Sequence, residues 1–544
     1  MVLGGEDRLP GLPPMRTFPS TGVPTGVPAG VSASSEHASC RPVDVAGTSG
    51  AVGTVVRTAG GRVRGRRERG LTVWRGVPFA APPVGRLRFR APQPLQPWAG
   101  VRDATRDGPL PLQPRTNTLL GAGLRTPMSE DCLTLTIARR TTGSGPKPVM
   151  VFVYGGAFGI GGATAAAYRG ETLAAAGDVI VVGFNYRVGA LGWLDLSAYG
   201  TEQDPLETNV GLRDQLAALR WVQDNIAAFG GDPDDVTLFG ESAGATSVLT
   251  LLAMPAAAGL FARVIAESPT IASVHGSARS AEWAAELVES LPGGAASLRT
   301  IDPADLIAAT NRLDLAVSDR TPAARVVGPV VDGDLLPDYP LDVLRRGEAL
   351  PLPLVVGTNA DEGSLFQRMR GLRATPVRME RLFDATVPAA KEPVLAEYGG
   401  GRGARAMERF VTDLMFWAPA LEAAVGHAEV APVWMYRFDF APPAMRAIGL
   451  GAAHGSELDH VMARGASATR RLATLLGGDR AARALTGRMA GAWLRFARTG
   501  AMPEWWPPFD GERRRTWVFD EVDRLEEDAR ETARAAWRSW QPYG

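Results

Sequence analysis

Asp235-Val-Thr-Leu-Phe-Gly-Glu-Ser-Ala-Gly-Ala245 decides how the rest of the chain is read. Val236 to Phe239 is a short apolar run of strand formers, and Gly240-Glu-Ser-Ala-Gly244 follows at once. From Ala243 to Ala253 the spacing becomes helical. A serine at such a corner is a nucleophile elbow: small neighbours let the chain turn sharply and the hydroxyl stands exposed above the sheet. Gly-x-Ser-x-Gly carries little weight alone in a chain with 63 glycines. Its position between a buried-type strand and a helix makes it informative, against the plainer alternative of a serine that only caps a helix.

Similar apolar runs flank this stretch. Val149-Met-Val-Phe-Val-Tyr154 and Val179-Ile-Val-Val-Gly-Phe184 precede it, whereas Ala262–Ala266, Leu352–Val356 and Val433–Phe438 follow. Continuous apolar strands are expected where both faces of a sheet are covered. Between them Leu212, Leu216, Leu219, Val222 and Ile226 mark an amphipathic helix over 212–229, and the last firm helix spans 484–498. Strand and helix alternate from about Lys147, which predicts one large α/β domain with a mostly parallel sheet and its ligand site at the carboxyl ends of the strands. Upstream, Thr54–Val56 and Gly61–Gly65 read as an edge hairpin whose arginines form a solvated face, and Val77 to Trp98 is too proline-rich for regular structure. Residues 1–50 are rich in Pro, Gly, Ser and Thr and are expected to be a disordered leader, leaving 51–544 as a single domain.

Composition narrows the function. Net charge is zero, which argues against nucleic-acid or membrane-surface partners. No apolar run approaches the roughly 20 residues that span a bilayer, and the N-terminus lacks a secretory signal pattern. With Cys40 in the leader and Cys132 as the other cysteine, a disulfide is not expected and a cytoplasmic setting fits.

A serine hydroxyl needs a base, and the base needs an orienting group. The five histidines are His37, His275, His427, His454 and His460. His37 lies in the leader, and His427 ends a helical segment where a surface role is the default. His275 follows the fourth strand, and His460 reads as part of a helix. His454 sits in the glycine-rich loop Gly449–Glu457 beyond the sixth strand, where a sheet-top base belongs. The acid should fall between Ser242 and the histidine at a strand end, and Val355–Gly363 offers Asp361 and Glu362, which spacing cannot separate. Asp332 and Asp334 read as turn residues. For an oxyanion hole, Gly155-Gly156-Ala157 directly follows a strand, and the N–H of Ala243 follows the serine.

Taken together these residues resemble the type-B carboxylesterase family, which includes bacterial para-nitrobenzyl esterases and cholinesterases. The resemblance is carried by Arg75-Gly-Val-Pro-Phe-Ala80, Ser129-Glu-Asp-Cys-Leu133, Tyr154-Gly-Gly-Ala-Phe158, Asn185-Tyr-Arg-Val-Gly189 and Asn209–Asp214. It continues through Gly240–Gly244, Asp361-Glu-Gly-Ser364 and His454-Gly-Ser-Glu457. It implies an α/β-hydrolase fold with a mostly parallel central sheet flanked by helices and a pocket built from helical insertions. It also implies a serine hydrolase of small to medium carboxylic esters, working through an acyl-enzyme without metal or cofactor; a monomer or weak homodimer is expected. Carried over by motif, Ser242 is the nucleophile, Glu362 the acid, His454 the base, and the N–H groups of Gly156, Ala157 and Ala243 the oxyanion hole. Glu241 matches an acid that the family keeps beside the nucleophile, which orients the site or is purely structural. The same triad on a lactone, amide, carbamate or thioester, or a non-catalytic neuroligin-like protein, are the alternatives. Two departures stand out. Pro111 and Leu112 replace the usual disulfide partner of Cys132, and the short Glu267-Ser-Pro-Thr270 run leaves a supporting role for Ser268 open.

Overall fold

The computed structural model describes residues 53–115, 123, 125–143, 145–369, 373–464 and 468–541. The expected leader lies outside the described residues, and Cys40 and His37 with it.

The apolar runs lie side by side in an eleven-stranded sheet. In chain order its strands are Arg66–Glu68 (β1), Leu71–Pro78 (β2), Thr134–Arg140 (β3), Lys147–Val153 (β4), Ile180–Phe184 (β5) and Gly231–Glu241 (β6). Arg263–Glu267 (β7), Leu354–Asn359 (β8), Val433–Phe438 (β9), Arg515–Phe519 (β10) and Arg524–Glu527 (β11) complete it. The spatial order is β11-β10-β9-β8-β7-β6-β4-β5-β3-β2-β1. From β5 across to β10 every pairing is parallel, and the outer pairings are antiparallel. Helices cover the parallel core, so β4 is buried along Val149–Val153 with no residue more than 1% exposed.

The six expected strands and the amphipathic helix, Val210–Asn225, are present. The flanking strands escaped the pattern for identifiable reasons. Arg75 interrupts β2, yet it is buried because its guanidinium pairs with Glu171 at 2.9 Å and with Glu68. A bulge between Trp74 and Val77 further breaks the alternation. β10 is short and only its last two residues are buried. The edge hairpin exists as Val55–Thr58 and Gly61–Arg64, joined in parallel by Val101–Asp103. Among the described residues no helix is long and apolar enough to cross a membrane.

Two of the quoted motifs prove to be structural ties. Arg187 donates to both carboxylate oxygens of buried Asp214, through Nε at 2.8 Å and Nη2 at 2.6 Å. The tie locks the loop after β5 to the helix that precedes β6. Such a pair contributes little net stability but is costly to break on one side only.

The glycines of the elbow are dictated by contact. A Cβ at Gly244 would lie 2.0 Å from the carbonyl oxygen of Val153, and one at Gly240 would lie 2.7 Å from the same atom. Helix Ala243–Leu252 can therefore begin directly against β4. Gly244→Ala is expected to lower unfolding free energy by about 2–3 kcal/mol through overpacking. Gly487→Ala, in helix Asp479–Thr499 with open space around it, is expected to raise stability by up to about 1 kcal/mol. Urea unfolding of both variants checks the contrast in sign.

Candidate active site

β6 ends at Glu241, and Ser242 turns the chain with φ 58° and ψ −124° before the helix begins at Ala243. The Ser242 N–H donates to Glu267 O at the end of β7, 2.8 Å away, and Ser242 O accepts from Thr246 N at 2.9 Å. The serine is thus tied to the neighbouring strand and to its own helix, while its side chain remains partly exposed.

Three distant segments meet there. His454 Nε2 lies 2.8 Å from Ser242 Oγ, and His454 Nδ1 lies 2.6 Å from Glu362 Oε2. Asp361 points elsewhere: it is exposed and accepts from Ala452 N at 2.9 Å, whereas Glu362, one residue on, is fully buried. Glu362 Oε1 accepts from Ser268 Oγ at 2.5 Å and from the N–H of Asn359 at 2.7 Å. Ser268, whose role the sequence left open, thus bonds directly to Glu362. Ser268 reaches it from a left-handed backbone of φ 54°. Asn359 also reaches the His454 loop, donating to Ala453 O at 2.9 Å and to Glu457. The Asn359 and Glu457 positions lay in plain view within quoted motifs, but nothing in their spacing signalled the link.

Glu241 approaches the imidazole from the other side, with Oε1 3.2 Å from His454 Nε2 and Tyr168 OH 3.5 Å from Oε2. Burial raises Glu241 to about 7 and Glu457 to about 8, each helped by neighbouring carboxylates. Burial opposes charge on His454, but Glu362, then Glu241 and Glu457, outweigh it and lift the imidazole to about 9. The three groups titrate together, because a proton on either glutamate weakens the field that retains one on the histidine. Phe366 and Phe416 pack on the imidazole with ring centroids 5.1 and 4.8 Å away. Phe416 comes from a π-helical turn, Asp413–Trp417, which no sequence periodicity announced.

The loop after β4 lies against the serine: a Cβ at Gly155 would be 2.9 Å from Ser242 Cβ. Among the described residues, the N–H groups of Gly156, Ala157 and Ala243 have no hydrogen-bond acceptor.

The other histidines are engaged elsewhere. His427 corrects the expectation of a surface role. It is fully buried with Nε2 2.8 Å from Leu352 O, because its helix lies against the sheet just before β8. His275 is buried edge-on against Trp283, and His460, within helix Leu458–Val461, meets Thr486 Oγ1 at 3.0 Å. Asp332 is a turn acceptor for Asp334 N and Leu336 N. Cys132 is a buried free thiol. Among the described residues no group of three His, Cys, Asp or Glu side chains could hold a metal ion.

The sequence profile of the carboxylesterase family matches residues 52–537. The chain belongs to that family. It is 37% identical over 489 residues to the para-nitrobenzyl esterase of Bacillus subtilis, covering 87% of this chain and 96% of that protein. It is 36% identical to the fumonisin B1 esterase of Sphingopyxis macrogoltabida, covering 84% of each. A solved para-nitrobenzyl esterase superposes with a TM-score of 0.80 at 36% identity, over 89% of this chain and 99% of that one. A carboxylesterase of Geobacillus stearothermophilus does so with 0.77 at 35% identity, over 89% and 100%. This carboxylesterase is accordingly a serine hydrolase of carboxylic esters with an α/β-hydrolase fold.

An imidazole must be neutral to accept a proton, so with His454 in the role of base activity would rise with pH through its titration. The acid limb of the kcat/KM–pH profile is expected above the ordinary histidine value of 6.5. Glu241→Gln removes a charge that favours the imidazolium and should move that limb to lower pH. An unmoved limb would show that Glu241 does not act on His454 electrostatically.

Proposed function

We propose that Ser242, His454 and Glu362 act as the nucleophile, base and acid of ester hydrolysis. The observation that carries this reading is the unbroken hydrogen-bond chain from Ser242 Oγ through both imidazole nitrogens to Glu362. With Nδ1–H donated to Glu362, Nε2 presents its lone pair to the serine hydroxyl. Ser242 Oγ attacks the ester carbonyl as His454 takes its proton. The N–H groups of Gly156, Ala157 and Ala243 receive the charge that develops on the carbonyl oxygen. Collapse of the tetrahedral intermediate leaves an acyl-serine, and His454 returns the proton to the departing alcohol. Water repeats the sequence and frees the acid. Glu362 fixes the tautomer and stabilises the imidazolium, which Glu241 also faces.

The substrates are small-molecule carboxylic esters, and the partly exposed ring of Phe366 beside the imidazole, backed by buried Phe416, suits apolar acyl or alcohol groups. Ser242→Ala should remain folded yet lose at least about ten-thousandfold in kcat on para-nitrophenyl butyrate. Activity near that of the parent enzyme would overturn the nucleophile assignment. Glu362→Gln should slow turnover about a thousandfold, whereas Asp361→Asn should stay near the parent rate. The reverse ranking in steady-state kinetics would mean that the neighbouring carboxylate is the acid.

A further inference from the structure

The loop that would receive the oxyanion has an unusual backbone. Gly156 has φ 119°, Ala157 51°, Phe158 57° and Gly161 118°. Two successive side-chain-bearing residues in the left-handed region persist only where their surroundings over-determine them. Part of the restraint is internal: Gly156 O accepts from Gly159 N and Ile160 N, both at 3.1 Å. Part comes from the loop after β5, where Gly189 N donates to Phe158 O at 2.7 Å and Asn185 Oδ1 accepts from Ala163 N at 2.9 Å.

A further grip comes from Gln113, in a segment that neither the sequence motifs nor the hydrolytic steps account for. Its side chain is buried, with the residue 2% exposed. Nε2 donates to Gly161 O at 2.6 Å, and Oε1 accepts from Gly161 N at 2.9 Å. A third bond, Nε2 to Pro111 O at 3.0 Å, anchors the amide to its own segment. This side chain pairs with a backbone residue as a neighbouring strand would. Gly161 relays the hold, because a Cβ there would lie 2.5 Å from Gly155 O and 2.5 Å from the Tyr154 ring. Gly155 rests on Ser242 in turn. The contacts run without a gap from Gln113 through Gly161 and Gly155 to the nucleophile.

We propose that Gln113 is a positioning residue for ester hydrolysis: its two-point pairing with Gly161 holds the 155–162 loop so that the Gly156 and Ala157 N–H groups stay aimed at the reacting carbonyl. This rests on the oxyanion assignment made above. Gln113 does not touch the substrate, and it acts through backbone that does.

Gln113→Met keeps length and volume while removing both bonds to Gly161. It should fold, as judged by circular dichroism, and lose about 10- to 100-fold in kcat with KM within about threefold. Isotope-edited infrared spectra of the acyl-enzyme formed from a slowly hydrolysed 13C-carbonyl ester separate the two claims. The parent enzyme should show a carbonyl band lowered by hydrogen bonding, and the variant a band that is broader and higher. A parent band that is not lowered removes the oxyanion assignment and this proposal with it. A lowered band that is identical in Gln113→Met, with kcat unchanged, overturns the role of Gln113 alone. Gln113→Glu decides the matter if the methionine variant does not fold. A protonated carboxyl can offer Gly161 one donor and one acceptor, as the amide does, so the ratio of its kcat to the parent value should climb as pH falls. A ratio flat with pH would reduce Gln113 to a space-filling residue and overturn the proposal.

Discussion

Ser242 occupies a backbone conformation that an L-residue adopts only when neighbours enforce it, and the rest of the site follows from that enforcement. Gly244 and Gly240 both pack on the carbonyl of Val153, so helix Ala243–Leu252 starts with no slack after β6. The single residue left to reverse direction is the serine. Its N–H is pinned to Glu267 O on the adjacent strand, which stops the corner from relaxing. A hydroxyl held this way stands above the sheet at a fixed height, and every partner must come to it.

The partners arrive by the same device, a loop leaving the carboxyl end of a strand. β8 delivers Asn359 and Glu362, the segment after β7 delivers Ser268, and the loop beyond β9 delivers His454. Parallel strands in register bring those ends to one level: Glu241, Glu267 and Gly357 face one another across β6, β7 and β8. The result concentrates acids in a dry place. Glu241, Glu267, Glu362 and Glu457 are each at most 1% exposed. Glu267 is raised well above the usual carboxylate range by burial while Trp493 Nε1 donates to it at 2.8 Å. Within the cluster Glu362, then Glu241 and Glu457, favour positive charge on His454, the charge the proposed mechanism would place there.

Much of this was legible in the residue pattern. Continuous apolar runs marked the central strands because both of their faces are covered, and the strand-to-helix switch at Ser242 marked the elbow. Chain order and strand ends narrowed the acid to two adjacent residues. Asp361 and Glu362 differ in direction: exposed Asp361 precedes the helix and accepts from Ala452 N, whereas Glu362 is the helix's first residue and is buried, a difference that spacing alone does not register. The outer strands stayed hidden because a buried arginine looks polar until its ion-pair partners, one of them 96 residues away, are in view.

Local propensity and hydrophobic period, both properties of neighbours along the chain, were enough to establish a parallel α/β sheet, the position of its elbow and the candidates for base and acid. Only the folded chain decided that Ser268 and Asn359 bond to Glu362, that Glu241 and Glu457 are buried titratable carboxyls around His454, and that Gln113 grips Gly161. The bonds of Ser268 and Asn359 to Glu362, of Asn359 to Glu457 and of Gln113 to Gly161 join residues 3 to 98 positions apart. Their strength depends on distance and angle in space, for which the sequence has no periodic signature.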